Sequence, residues 1–274
     1  PGADPQDWWG LAGLSTTAGV ADPDRPVRVS PSRIESFLAC ELRTLMQDLG
    51  VHDDQAIAAS LGVVVHDLAA LAPDDQPLEE FERQLQEVWD SIDFGASWFA
   101  ANERVRATTM LQRLVTWLQE SRAEPTRAAV ERDFEVPVGD AVVAGRVDRL
   151  ERDSTGRLVV VDLKTGRSKP RDADMPVHPQ LGTYQLAIQH GAFADEGAEP
   201  GGAVLVQLGT GGKPEQWQLP LAQSDDPEWA RRAVDHVATR MRGAEFTAIE
   251  NSRCQICDVR NCCPLQVQGR QVTS

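Results

Sequence analysis

The stretch RLVVVDLKTG, residues 157–166, places a carboxylate and an ammonium two positions apart inside a strongly apolar run. Side chains alternate across a β-strand, so Asp162 and Lys164 share one face while Val159, Val161 and Leu163 share the other. A run this apolar suits a central strand covered on both faces, where an unpaired charge is expensive and each charged group needs a partner. Asp162 and Lys164 meet that need by pairing with each other, or by belonging to a site to which other residues contribute. Asp148 favours the site. In AGRVDRLE, residues 144–151, it follows the small pair Ala144 and Gly145, and an antiparallel hairpin back to VVVDLK brings it beside Asp162. Two close carboxylates repel unless a cation or a shared proton lies between them, and hard oxygen ligands suit Mg²⁺ or Mn²⁺. A divalent metal beside a lysine is equipment for phosphodiester hydrolysis. The metal activates water and neutralises charge, and the lysine positions water or stabilises the transition state.

Further residues have the chemistry to complete such a site. In LGVVVHDLA, residues 61–69, His66 lies off the apolar stripe of Ile57, Leu61, Val64 and Leu68, and Gly62 leaves room one turn earlier on its face. Alone it is an ordinary surface or core histidine; next to two carboxylates it is a third metal ligand. PQLGTYQLA, residues 179–187, sets Gln180 and Tyr184 four apart on one helical face, and Tyr184 is the only tyrosine in the chain. Each is a packing residue with a satisfied polar end or part of the same wall. Thiols form a separate group. Cys254, Cys257, Cys262 and Cys263 lie in NSRCQICDVRNCCPLQ, residues 251–266, and Cys40 lies far upstream. In a reducing compartment, clustered cysteines hold a metal or serve redox chemistry more often than they form disulfides. Four thiolates suit zinc and iron-sulfur chemistry equally, and spacing alone does not choose.

The elements that position these residues are legible from periodicity. Residues 1–29, rich in Pro, Gly and Asp with an isolated Trp8-Trp9 pair, read as a linker or arm. Ser30 or Ser32 caps a helix whose stripe is Ile34, Phe37, Leu38 and Leu45, and which carries Cys40. Helical spacing recurs through QAIAASLGVVVHDLAALA, then 78–92 and 98–121, the last with Val105, Leu111, Leu114, Val115 and Leu118. From Ala128 the pattern turns to strands at 128–138, 141–151 and 157–166, separated by turn signals at Gly139-Asp140 and at residues 154–156. A helix at about 178–194, strands at 202–208 and 215–221, and a helix at about 226–243 follow. The expectation is an α/β fold in which helices surround a mixed central sheet. Residues 30–125 form a helical region carrying Cys40 and His66, 126–250 the core, and 251–274 a cysteine-rich tail.

The ordered motifs G-x-x-x-H, G-x-V-D, V-V-D-x-K-T-G and Q-x-x-x-Y resemble the RecB-type nucleases of the PD-(D/E)xK superfamily, from about Ser30 to Pro264. That resemblance implies the PD-(D/E)xK nuclease fold. It makes His66, Asp148 and Asp162 the metal ligands, Lys164 the catalytic lysine, and Gln180 with Tyr184 supports of the site and the DNA. A subset of these nucleases has one Cys before the core and C-x-x-C-x5-C after it, together binding a 4Fe-4S cluster. The same pattern here selects Cys40, Cys254, Cys257 and Cys263, with zinc as the other occupant. Such a cluster would tie the N-terminal helix to the tail and close a very long loop. Two features depart from the pattern: Cys40 is followed by Glu41, Leu42 and Arg43 where the family often has Pro and an aromatic residue, and Cys262 is surplus. Relatives of this type commonly end helicase-nuclease subunits, and the Ala- and Arg-rich composition resembles actinobacterial AdnAB-type enzymes that resect double-strand breaks. The resemblance therefore implies an exonuclease acting on DNA, single-stranded by expectation, with a helicase domain or subunit outside this chain. A catalytically silent nuclease fold that binds DNA or scaffolds a partner is the alternative.

Composition sets limits on these readings. With 274 residues, 41% of them hydrophobic, the chain can bury a real core without disulfides. No apolar run is long enough to span a bilayer and no basic-then-apolar leader opens the chain, so a cytoplasmic protein is expected. Starting at Pro1, it reads as a piece of something longer. A net charge of −15 excludes a surface that coats nucleic acid throughout but leaves room for a local cleft. Arg is the default basic residue, and two of the three lysines, Lys164 and Lys169, fall in one short stretch. QLGTGGKP imitates a phosphate loop, but Gln207 replaces the first Gly and Pro214 follows the Lys, so ATP binding is unsupported.

Overall fold

A computed structural model describes residues 17–22, 24–51, 56–92, 94–120 and 126–269; Trp8 and Trp9 lie outside them. Their strands form one six-stranded sheet in the order β1-β3-β4-β5-β6, with β2 also paired to β3. The strands are β1 (Val27–Val29), β2 (Thr126–Val138), β3 (Ala141–Arg152), β4 (Leu158–Lys164), β5 (Pro200–Gln207) and β6 (Glu215–Gln218). The sheet is mixed, as expected: β1 is parallel to β3 and β4 to β5, whereas β2–β3, β3–β4 and β5–β6 are antiparallel.

β3 organises the site. Since β2 runs along one edge of β3 from residue 141 to 152, β1 and β4 must share the other edge, at opposite ends. β1 pairs with 141–143 and β4 with 149–152, which leaves a fork between them. The main-chain groups lining that fork need partners other than a strand, and side chains of the site supply them.

The alternation expected of β4 is what separates the two cores. Leu158 and Val160 pack with α1 (Pro31–Ala39), α6 (Pro179–Gln189) and α7 (Trp229–Arg242) through Ile34, Phe37, Leu181, Ile188 and Val234. Val159, Val161 and Leu163 pack on the other face against α3 (Ala56–Leu71), α4 (Leu78–Trp89) and α5 (Ser97–Glu120). The stripe of α3 is turned slightly from the expected one: Val65 is fully buried with Leu61 and Leu68, Val64 is half-buried, and the side chain of Ile57 lies outside the described set. Val105, expected in the stripe of α5, is exposed.

The N-terminal segment departs from its sequence reading twice. Residues 27–29 of the expected arm add β1 to the sheet, a three-residue strand too short to show a period. The expected single helix is also two, α1 and α2 (Glu41–Asp48). Ser30 does cap α1, accepting from Arg33 N at 3.2 Å, and Pro31 occupies the first turn. Cys40 then adopts an extended conformation, φ −168° and ψ 109°, and breaks the helix. Contacts from α7, residues 229–242, and from the segment that follows it account for the break. Leu42 N, in the first turn of α2, donates to Thr247 O at 3.2 Å. The buried Glu41 carboxylate accepts from Thr247 N at 2.8 Å and from Arg240 Nε and Nη2 at 2.9 and 2.6 Å. Arg240 holds the Glu41 carboxyl below the usual glutamate range. A negative side chain in the first turn also suits the helix dipole.

Candidate active site

The six residues singled out around β4 meet in the fork. Continuing the register one step past Arg149 and Val161 sets Asp148 opposite Asp162. There the ladder stops, and the Asp148 carboxylate takes over: its Oδ2 accepts from Leu163 N at 2.7 Å, and its Oδ1 lies 3.1 Å from His66 Nδ1. Helix α3 brings His66 close because Gly62 has no side chain; a Cβ there would sit 3.0 Å from Thr165 Oγ1.

Asp162 belongs to a second network. It is buried, and its Oδ1 accepts from Gln180 Nε2 at 2.7 Å and lies 3.2 Å from the Tyr184 hydroxyl. Tyr184 also lies 3.2 Å from Arg146 O, one of the main-chain groups left free by the fork. The Gln180 amide oxygen accepts from Lys164 Nζ at 2.6 Å, so its orientation is set from both ends. Lys164 Nζ lies 2.8 Å from Asp162 Oδ2, the simple pairing that sequence alone leaves open. That contact is an ion pair, and Asp162 Oδ2 is a buried oxygen with no other polar partner.

Electrostatics follow from burial. Desolvation pushes the Asp162 carboxyl above the usual carboxylate range, and the Lys164 ammonium only partly offsets it. Burial works against the Lys164 ammonium, but Asp162 outweighs it and holds Lys164 above the ordinary lysine value. For His66, too, desolvation opposes the charge while the Asp148 contact raises the imidazole, with a net upward shift. Desolvation and the nearby carboxylates keep Tyr184 protonated.

The three expected metal ligands do not form a closed set. Among the described residues no three His, Cys, Asp or Glu side chains converge as a metal-holding group. His66 and Asp148 make one network, and Asp162 another. The donor chemistry nonetheless fits a hard divalent cation: two carboxylates face each other across the fork, and the buried Asp162 Oδ2 has no polar partner besides the Lys164 ammonium.

Several supports escaped the sequence reading. Leu208 N and Gly209 N both donate to Lys164 O at 2.9 Å, which fixes the main chain that carries the lysine. Gly209 belongs to the QLGTGGKP imitation of a phosphate loop, and its purpose is close approach: a Cβ would lie 2.1 Å from Gly166 O and 2.3 Å from Thr165 O. Gly209→Ala is therefore expected to displace the turn after Lys164, with an overpacking cost of about 2 kcal/mol or more. Thermal melting and cleavage assays check this, and a variant matching the parent in both would refute it. Arg106, on α5, donates to Thr165 O at 2.6 Å. Behind Asp148, Arg149 is held by Asp74 at 2.6 Å and stands 5.8 Å from the centre of the Trp117 ring.

The cysteines form the second candidate site. None of the five is in a disulfide. Cys40, Cys254, Cys257 and Cys263 line one hollow between the α1–α2 junction and the tail, and Cys262 does not. Cys262 is exposed, with its sulfur 3.2 Å from Val259 O. The tail is bound to α2 by Arg43 and Gln47, which reach Asp258 at 3.3 and 2.8 Å, while Asn251 Nδ2 donates to Ala39 O at 3.0 Å. Burial pushes the Cys257 thiol up.

A mixed sheet flanked by helices, with an aspartate and a lysine emerging from one end of its central strand opposite a second aspartate, defines an α/β nuclease-like fold. The family description of the PD-(D/E)XK nuclease superfamily matches residues 28–264, and the chain belongs to that superfamily. Among solved structures, one titled "Crystal structure of SSO0001" is similar at 16% identity and a TM-score of 0.38, covering 90% of this chain and 89% of that one. No curated protein matches the chain. No described helix is long and apolar enough to cross a membrane.

Proposed function

We propose that the chain is a metal-dependent DNA nuclease of the RecB type, an exonuclease forming the nuclease part of a cytoplasmic helicase-nuclease that processes double-strand breaks. The observation that carries this reading is the buried Asp162 carboxylate, ion-paired with Lys164 and opposite Asp148. Asp148, Asp162 and His66 would hold Mg²⁺ or Mn²⁺, which would supply activation of water and neutralisation of phosphate charge. Lys164, its ammonium kept charged by Asp162, would face the phosphate and stabilise charge developing there. Gln180 orients that ammonium, and protonated Tyr184 braces Asp162 against the fork. The four thiols around the hollow would hold a 4Fe-4S cluster, with zinc as the other occupant.

The expected result is cleavage of labelled single-stranded DNA with Mg²⁺ or Mn²⁺ and none in EDTA. Equal turnover in excess chelator would sink the metal chemistry. A silent DNA-binding fold is the second reading, favoured by the separation of Asp148 and Asp162 into two networks. Binding without cleavage in either metal would establish it.

A further inference from the structure

Lys164 is followed by TGRSKPR, residues 165–171, so Lys164, Arg167, Lys169 and Arg171 fall within eight positions that contain no acidic residue. In a chain of net charge −15 such a run calls for a local reason. The loop is also fixed from beneath. Lys164 O is held by the Leu208 and Gly209 amides, Thr165 O by Arg106, and Pro170 O by Nε2 of the buried Gln216 at 2.9 Å. The buried Glu103 carboxylate lies 3.0 Å from Arg106 and 2.8 Å from Arg167, so one negative charge serves two arginines. Its main chain is anchored inward while its cations face water: the Arg167 side chain is 71% exposed. Arg171 is paired with Asp174. Lys169 is exposed and has no ion-pair or hydrogen-bond partner among the described residues.

We infer that residues 165–171 form a preset cradle for the phosphate backbone of the substrate strand beside the cleaved bond, with Arg167 and Lys169 as its contacting cations. This rests on the reading of the chain as a DNA nuclease. An anchored loop loses little conformational freedom on binding, which favours affinity over a mobile one. Arg167 is aimed by Glu103 from behind, while the free ammonium of Lys169 acts as a point charge. Contacts of this kind position a strand without reading its sequence.

Two variants of the full chain test the assignment. Lys169→Glu has no partner to lose, so it separates binding from folding; Arg167→Ala combined with Lys169→Ala removes both cations. Binding of a labelled single-stranded oligonucleotide is measured in EDTA across a salt series, and cleavage is measured separately with Mg²⁺. Lys169→Glu is expected to weaken binding about tenfold at ~0.1 M salt and to reduce the salt slope by about 0.7, the contribution of one phosphate contact on a single strand. The double variant should lose about twice that slope, with KM raised and kcat within about twofold of the parent. An unchanged affinity and slope in both variants would overturn the cradle, whether or not the parent cleaves. A parent that binds with the expected slope but never cleaves would leave the cradle supported and overturn the nuclease reading.

Discussion

Asp162→Asn is expected to reduce metal-dependent cleavage by about 10³-fold or more, because removing several kcal/mol of charge stabilisation costs tenfold for each ~1.4 kcal/mol. The substitution keeps the shape of the side chain and its contacts with Gln180 and Tyr184 while removing the charge. The stability outcome is the more informative half. Burial raises the Asp162 carboxyl above its unfolded value, so the folded state holds this proton more tightly than the unfolded chain does. The contribution of Asp162 to stability therefore falls as pH rises from the ordinary aspartate range through the raised folded value. At neutral pH the charged group is tolerated chiefly through Lys164. Neutralising it relieves desolvation and removes the lysine's partner together, so Asp162→Asn should melt within a few degrees of the parent while inactive. Lys164→Ala should be equally inactive but less stable, since it strands a buried carboxyl. A folded Asp162→Asn that keeps full turnover would remove Asp162 from the chemistry, and a variant that fails to fold would make its role structural.

What the sequence could reveal depended on the length of each repeating pattern. In β4 the alternation of Val159, Val161 and Leu163 with Asp162 and Lys164 is long enough to read, and those two sets do face different layers. The pairing of Asp148 with that strand followed from an ordinary hairpin. Three residues of β1 carry no period, and their strand pairs with Ala141–Val143 far along the chain, so only tertiary structure reveals it. The break at Cys40 was hidden for a similar reason: the groups that stabilise it, Arg240 and Thr247, lie some two hundred positions away. The spacing around Gly209 excludes a phosphate loop but says nothing of why a glycine stands there, because its constraint is the close approach of residues 165 and 166 from another part of the chain. Glu103 gave no local signal, being one acid among several polar residues on a helix, and only its burial between Arg106 and Arg167 distinguishes it.

Cys263→Ser is expected to lose bound iron and lower the melting temperature markedly, and Cys40→Ser to do the same, while Cys262→Ser retains both iron and stability. The two neighbouring thiols differ in their surroundings: Cys263 is buried and lines the hollow with Cys40, Cys254 and Cys257, whereas Cys262 is exposed and turned to Val259 O. Pro264 restricts Cys263 to extended conformations, and its ψ of 123° agrees. A metal centre binds the folded chain and not the unfolded one, so its affinity adds directly to folding stability. Loop closure adds to the effect, because joining Cys40 to the tail encloses most of the chain. The protein contacts already present, Arg43 and Gln47 with Asp258 and Asn251 with Ala39, hold the same two segments together. Loss of the centre should therefore loosen the tail and α2 before the sheet, and hydrogen exchange would show it first at residues 41–48 and 251–263. Iron content, zinc content and melting of the three variants decide between outcomes. Iron lost in Cys262→Ser and kept in Cys263→Ser would shift the ligand set by one residue, and stoichiometric zinc in colourless protein would replace iron-sulfur with a zinc centre on the same four thiolates.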